Sequence, residues 1–241
     1  MNIRLDHFLA ENNFGTRKHV KKLIKDGLVK IDDKPCFTPD FKFNPEETKI
    51  YVNEKLVPYQ KELYLLLNKP AGYLCSTIDE LYPSVLNLLE PSMQKRARLV
   101  GRLDVDTTGV LLITDNGKLN NKLIHPNTKI EKEYKVTVNH EVTNRELEIL
   151  RGKIDLFDDG IVQAKRVEQI GKDTILITIL EGKYHEIKRM CKRADLEVMA
   201  LDRIRLGSLT YGNLKPGEYR SLNENEIKNL KSLVGIKEDV F

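Results

Sequence analysis

Cysteine, metal-ligand spacings and long apolar runs are all scarce in this chain of 241 residues, and each scarcity removes a class of protein. Cys36, Cys75 and Cys191 stand far apart with no C-x-x-C pair, which argues against a disulfide framework and against a structural zinc site. Each is expected to be a small buried residue in a reducing cytoplasm. The histidines (His7, His19, His125, His140 and His185) form no H-x-x-x-H pair, so no metal site is readable. The longest apolar runs, residues 63–67 and 110–113, fall far short of the ~20 residues that span a bilayer. The opening Met-Asn-Ile-Arg-Leu-Asp-His lacks the apolar stretch of a signal peptide. Membrane and secreted readings drop out, and a cytoplasmic location is expected.

Charge of one sign is not in large excess either: 40 Lys+Arg stand against 36 Asp+Glu, a net charge of +4. With 40% hydrophobic and 32% charged residues, the chain can build a core beneath a solvated surface, and global disorder is excluded. Its length fits one large domain, or an ordinary domain with a small satellite. The distribution of charge says more than the sum. Arg17, Lys18, Lys21, Lys22, Lys25 and Lys30 face Asp26 alone. Lys95, Arg96, Arg98 and Arg102 have no acid among them. Lys183, Lys188, Arg189, Lys192 and Arg193 are offset only by Glu186. Any one cluster is as readily a solvated helix face. Three together, in an otherwise balanced chain, point to a polyanionic partner.

Periodicity splits the chain in two. Leu5, Phe8 and Leu9 predict a first helix within residues 3–12. Thr16 is placed to cap a second, whose apolar face is Val20, Leu23 and Ile24 and whose stop is Gly27. Residues 28–31 and 49–52 read as strands, with a turn at Asp32-Asp33. The helix lysines must point away from that apolar face. A unit this small suits docking better than catalysis.

Arg4-Leu-Asp6, the Thr16-Arg17-Lys18 helix start, Val20, Leu23-Ile24-Lys25-Asp26-Gly27 and Val29-Lys30-Ile31-Asp32 together resemble an S4 RNA-binding domain. That resemblance implies that Arg17, Lys18, Lys21, Lys22 and Lys25 contact structured RNA. Residues 1–56 are taken as this domain. Polar, Pro58-containing sequence across 53–62 reads as a linker, assigned to 57–62.

Strands are expected at 63–67, 98–100, 110–114, 134–138, 161–167 and 174–180, and helices at 117–124, 143–150, 183–194 and 223–233. Helices do not alternate regularly with the strands. The fold class is therefore α+β: a small αα-β unit, then a larger, mixed, mostly antiparallel domain over 63–234, with a tail at 235–241.

One string stands out: Gly101-Arg-Leu-Asp-Val-Asp-Thr-Thr-Gly109. Turn-formers between strand-like stretches mark a loop, where catalytic groups gather. A carboxylate beside Arg102 stays ionised, so Asp104 can serve as a nucleophile rather than an acid. The same string also suits a turn that caps the next element. A two-carboxylate glycosidase is disfavoured, because Asp104 and Asp106 on one tight loop cannot flank a glycosidic bond from opposite sides.

The string resembles the G-R-L-D-x-D-T-x-G signature of pseudouridine synthases, in particular the RsuA-like branch that modifies ribosomal RNA. Supporting segments follow in family order: Leu67-Asn-Lys-Pro-Ala-Gly-Tyr73, Cys75-Ser-Thr77, Leu111-Leu-Ile-Thr-Asp-Asn-Gly117, Glu131-Lys-Glu-Tyr134, Glu181-Gly-Lys-Tyr-His-Glu-Ile-Lys-Arg-Met190 and Pro216-Gly-Glu-Tyr-Arg220. An S4 domain ahead of the enzyme domain is that branch's usual arrangement. The resemblance implies that Asp104 is the nucleophile, that Tyr134 stacks on a flipped base, and that Lys183 pairs with the catalytic carboxylate. It implies that Arg102 holds RNA as the target leaves its helix. Lys188 and Arg189 are assigned to RNA binding. Glu186 departs from the glutamine often found after the histidine.

No cofactor and no metal is implied, because turning uridine into pseudouridine imports no group and oxidises nothing. The implied partner is ribosomal RNA, within a subunit or an assembly intermediate, met by a monomer. The resemblance favours small-subunit over large-subunit RNA, through the overall length, the short C-terminus and the Tyr73-Leu-Cys-Ser-Thr77 string. A non-catalytic RNA-binding or ribosome-assembly protein is the rival from another class. Asp104, Tyr134 and Lys183 together argue against it.

Overall fold

A computed structural model describes residues 2–12, 14–59 and 62–236. The chain forms two compact units, residues 1–61 and 62–241.

In the first unit a short strand, Ile3–Arg4, leads into helices Leu5–Glu11 and Arg17–Lys25. Thr16 caps the second helix, its hydroxyl accepting the His19 N–H at 3.3 Å. Gly27 ends it at φ +74°, a left-handed conformation open to glycine. The sheet runs in the order Lys34–Pro35, Val29–Ile31, Ile50–Val52, Lys55–Val57. Leu5, Phe8, Leu9, Val20, Ile24, Val29, Phe43, Ile50, Val52 and Val57 close the core. The last of these corrects the expected linker. Asn53 and Glu54, both at positive φ, make a tight turn, and Lys55–Val57 folds back onto Ile50–Val52 and buries Val57. Polar composition hid a hairpin. Residues 60 and 61 of that stretch lie outside the described residues, as does the expected tail from residue 237 onward.

The second unit is built on one large sheet. Its order is Arg166–Gln169, Thr174–Ile179, Lys132–Val138, Val198–Leu206, Thr108–Thr114, Tyr64–Lys69, Tyr219–Ser221. Every pairing is antiparallel except that of Val198–Leu206 with Thr108–Thr114. Tyr64–Lys69 is buried along its whole length, which is why it reads as an unbroken apolar run rather than an alternation. Tyr64, Leu66, Val110 and Leu112 pack with Leu119, Leu123 and Leu230 of helices Gly117–Ile124 and Glu224–Leu233. Leu65, Leu67, Leu111 and Ile113 pack with Val85, Leu86 and Leu89. A third cluster joins Tyr134, Val136 and Ile177 to Leu147 and Leu150 of Asn144–Arg151 and to Ile187 and Met190 of Glu186–Arg193.

Three expectations need correction. The strand expected at 161–167 is two strands: Ile161–Gln163 pairs with Lys153–Asp155, and Arg166–Gln169 joins the large sheet. The helix expected from 183 begins at Glu186, because His185 adopts left-handed φ and ψ (49° and 34°) as its N-cap. Strand Val198–Leu206 was not anticipated, since Asp202, Arg203 and Arg205 interrupt its apolar pattern.

Candidate active site

The segment carrying Asp104 joins Arg98–Val100 to Thr108–Thr114 and is held at several backbone points. Lys69, fully buried at the end of Tyr64–Lys69, places its ammonium 3.0 Å from Asp104 O, 2.9 Å from Thr107 O, 3.3 Å from Val105 O and 3.1 Å from Pro70 O. An ammonium has three N–H groups to share among these carbonyls. Burial pushes its pKa down from the ordinary lysine value. Gly72 N–H donates to Val105 O at 2.8 Å, and Leu103 N–H to Cys75 Sγ at 3.3 Å. Gly109 lets the segment enter the sheet. A Cβ there would lie 2.3 Å from Arg203 O and 2.4 Å from Asp202 Oδ1, so only glycine permits this approach of the parallel strands. Thr108 Oγ1 donates to the same Asp202 carboxylate at 2.9 Å, and Tyr211 Oη donates to its other oxygen at 2.7 Å.

Asp104 is half-buried in a small open cleft lined by Arg102, Leu103, Thr107, Tyr134, Ile179, Lys183, His185, Ile187, Lys188 and Leu201. Lys188 Nζ lies 3.0 Å from its Oδ2, and His185 Nε2 lies 3.4 Å from its Oδ1. The same ammonium reaches Asp106 at 2.6 and 2.9 Å. One cation thus bridges two carboxylates. The carboxylates hold the Lys188 pKa above the ordinary lysine value although burial opposes them, and Lys188 in turn holds Asp106 below the ordinary carboxylate range. Tyr134 is 7% exposed and belongs both to the core and to the cleft wall. Burial pushes its phenol above the ordinary tyrosine value. It sits at a register shift between Glu133 and Tyr134, a bulge of the kind that re-aims a side chain beside a site. An anionic oxygen, an aromatic wall and an apolar lining together suit a flat heterocycle attached to an anionic backbone.

The expected site residues meet different fates. Asp104, Tyr134 and Arg102 converge on the cleft, and Arg102 is exposed with no hydrogen bond or ion pair among the described residues. Lys183 lines the cleft, but its ammonium bonds the Asp159 carbonyl and lies 3.6 Å from Glu181. The expected pairing of Lys183 with Asp104 is therefore corrected: Lys188 makes it. The reason is geometric: the helix starts at Glu186, and Lys188 in its first turn reaches the Asp104 segment, with His185 at the N-cap beside it. Lys188 and Arg189, assigned to RNA binding, both have partners within this unit. Arg189 bonds the Asp159 carboxylate, the Leu156 carbonyl and, at 3.3 Å, the Tyr184 carbonyl. Glu186, the departure from the family pattern, is buried and accepts Lys183 N–H at 2.7 Å, closing the loop before the helix. Burial pushes its pKa upward.

In the first unit, Arg17, Lys18, Lys21, Lys22 and Lys25 are all exposed on one helix. Arg17 Nη2 lies 3.4 Å from His7 Nδ1, and none of the five is ion-paired to a carboxylate among the described residues. Sequence reasoning gave no role to Lys69, His185 or Asp202. For Lys69 a signal existed: a cation closing an otherwise apolar, doubly buried strand needs internal partners.

Residues 63–193 match the family described as RNA pseudouridylate synthase, and residues 3–49 match the S4 domain. An uncharacterized RNA pseudouridine synthase of Aquifex aeolicus (strain VF5) is 39% identical over 235 residues, covering 96% of this chain and 98% of the relative. The ribosomal small subunit pseudouridine synthase A of Escherichia coli (strain K12) is 34% identical, covering 95% of this chain and 100% of that protein. A crystal structure of a pseudouridylate synthase superposes with a TM-score of 0.67 at 32% identity, covering 95% of this chain and 99% of the other.

Proposed function

We propose that this chain, which belongs to the RNA pseudouridylate synthase family and is an RNA-binding isomerase, converts a uridine of small-subunit ribosomal RNA to pseudouridine. The observation that carries the reading is the Asp104 carboxylate held 3.0 Å from Lys188 at the mouth of a cleft walled by Tyr134. The small-subunit assignment rests on the likeness to the Escherichia coli protein over nearly the whole chain.

The reaction breaks N1–C1′, turns the base and forms C5–C1′; C5 gives up its proton and N1 takes one up, so the product is an isomer of the substrate. An ionised carboxylate starts it by attack at C1′ or at C6, and the Lys188 ammonium 3.0 Å away holds the Asp104 carboxylate in place. The reacting atoms are inaccessible in a stacked helix, so the nucleotide leaves the stack and enters the cleft. There the ring of Tyr134 and the side chains of Leu103, Ile179, Ile187 and Leu201 offer an apolar bed. Exposed Arg102 at the rim is placed for a phosphate or for the gap left behind. Arg17, Lys18, Lys21, Lys22 and Lys25 supply a cationic face for folded RNA around the target. In this reading the protein works as a monomer in the cytoplasm, on a ribosomal subunit or an assembly intermediate.

Mapping pseudouridine across ribosomal RNA from cells lacking the protein, with and without restored wild-type or Asp104→Asn protein, tests this. The expected result is one small-subunit position lost and regained only with wild-type protein. Loss of a large-subunit position would move the substrate to the other subunit, and an unchanged map would overturn ribosomal RNA as the substrate.

A further inference from the structure

Arg203 lies in strand Val198–Leu206, paired directly with Tyr134 across the antiparallel ladder at the bulge. It is 2% exposed. Its Nε donates to Val110 O at 2.8 Å, while its Nη2 has no hydrogen-bond partner. A buried guanidinium with a free N–H is costly, and such groups are ordinarily paired. Here no carboxylate is ion-paired with it among the described residues, and its buried neighbourhood includes two further cations, Lys69 and Lys132. A second buried orphan, Thr107 Oγ1, lines the cleft on the Asp104 segment. Two of the three buried polar atoms without a partner among the described residues thus belong to Thr107 of the cleft and to the strand neighbour of Tyr134; the third, Asn120 Oδ1, lies on helix Gly117–Ile124.

Tyr134 offers the complementary group. Its phenol is buried, and the charged groups that act on it are Arg203 from the neighbouring strand, Glu186 from the helix and Asp104 from the loop. Of these only Arg203 can donate to the hydroxyl and favour its oxygen as an acceptor. The guanidinium is also the one basic side chain with a fork rigid enough to bond Val110 O through Nε while offering a second N–H in a fixed direction.

We propose that Arg203 is a positioning residue for the isomerisation: anchored to Val110, it holds its free N–H for the Tyr134 hydroxyl and so fixes the plane of the ring against the incoming base. The proposal rests on the reading of this cleft as the place where uridine is isomerised. A lysine at 203 loses the fork, since its donors sit on one nitrogen and lack the guanidinium's fixed spacing, and a methionine loses the donor altogether.

A double-mutant cycle tests it. Single-turnover isomerisation and RNA affinity are measured for wild type, Arg203→Met, Arg203→Lys, Tyr134→Phe and the double variant Arg203→Met with Tyr134→Phe. Arg203→Met should slow the wild-type reaction by about ten- to 100-fold, the range of coupling between contacting groups. RNA affinity should change by less than about twofold, and Arg203→Lys should fall between wild type and Met. In the Tyr134→Phe background the Arg203→Met change should cost less than about twofold, because the hydroxyl it serves is already gone. Equal losses in both backgrounds would mean a merely structural role and would overturn the proposal.

A second measurement covers variants too slow to assay. With 3-fluorotyrosine at position 134, the fluorine resonance reports the phenol's titration in the free protein. Replacing Arg203 by Lys or Gln should move the midpoint upward, and an unmoved midpoint overturns the contact. This readout uses no RNA. A wild-type enzyme that makes no pseudouridine would sink the functional reading, whereas the fluorine titration would still decide the Arg203–Tyr134 contact.

Discussion

Lys188 Nζ stands 3.0 Å from Asp104 Oδ2 and 2.6 Å from Asp106 Oδ1, a single ammonium shared by two carboxylates two residues apart. The sharing is asymmetric in exposure. Asp104 is the more sheltered of the two, with 27% of its side chain exposed against 64% for Asp106, so Coulombic attraction is screened less at Asp104.

Asp104→Asn keeps shape and removes the anionic oxygen. Isomerisation should fall to background while RNA affinity stays within about threefold, since one carboxylate is a small part of a polyanion-binding interface. Asp106→Asn should be far milder, leaving Lys188 to Asp104 alone. Single-turnover assays with a filter-binding control measure both. An Asp104→Asn protein with near wild-type turnover would remove Asp104 from the nucleophile's role.

Lys188→Met should cost isomerisation at neutral pH by about ten- to 100-fold or more, as expected for loss of a charge-assisted contact at a reacting group. Lys183→Met should cost much less, because that ammonium serves the Asp159 carbonyl. The Asp106 carboxyl, freed from Lys188, should titrate closer to the ordinary carboxylate value, which carbon-detected NMR can follow. If the two lysine variants lose the same rate, the division of labour read from their contacts is wrong.

Lys69→Met removes the buried ammonium that gathers the carbonyls of Asp104, Val105 and Thr107. Buried carbonyls left unpaired cost about 1–3 kcal/mol, so the catalytic unit should unfold at lower urea. Isomerisation should fall further than the loss of folded protein explains, because the Asp104 segment loses its main tether. Urea titration beside rates normalised to folded enzyme separates the two. A stability loss with unchanged normalised rate would confine Lys69 to folding.

Exchanging Lys21, Lys22 and Lys25 for Gln should weaken binding to ribosomal RNA and flatten its dependence on salt. Each lost phosphate contact lowers the log–log slope by about 0.7–0.9. Rates at saturating enzyme should hold, since Asp104 and its partners belong to the other unit. Affinity measured from low to high salt is the check, and an unchanged slope would make this a merely solvated face.

Asp6 accepts Arg4 Nε at 3.0 Å and Nη2 at 2.9 Å, and the guanidinium holds its carboxyl below the ordinary range. A depressed folded pKa means that the pair stabilises fully above the unfolded carboxylate value of about 3.9. The contribution is lost as pH falls through the lower, folded value. Asp6→Asn should therefore lower the melting temperature by a constant amount from pH 7 to about pH 5, with the gap to wild type closing below about pH 4. Thermal melts followed by circular dichroism across that range would show it, and a gap independent of pH would mean the pair contributes through packing alone.

Much of this protein was legible in its sequence, because the deciding interactions are local. Thr16, Thr143 and Asn223 cap helices through bonds to residues three positions on, and a capping side chain followed by a 3.6-residue apolar repeat is visible without any fold. Asp104 was legible for a related reason: a dense run of turn-formers between two strands keeps a carboxylate out of regular structure wherever the strands go.

What tertiary structure alone decided are the partners of charges. The basic cluster from Lys183 to Arg193 reads as one cationic face, yet Lys183, Lys188, Arg189 and Arg193 turn to Asp159, Asp104 and Asp106, Leu156 and Asp155, contacts spanning 24 to 84 positions. The backbone turn at His185, which delays the helix to Glu186, decides which lysine reaches Asp104. Strand Val198–Leu206 was hidden likewise, since its charged residues bond to neighbouring segments: Asp202 to Thr108, Arg203 through Nε to the Val110 carbonyl, Arg205 to Glu131 and Glu133. A sequence states that a charge is present. Whether that charge faces water or holds an active site together depends on which distant carboxylate or carbonyl the fold brings within about 3 Å, the reach of a hydrogen bond.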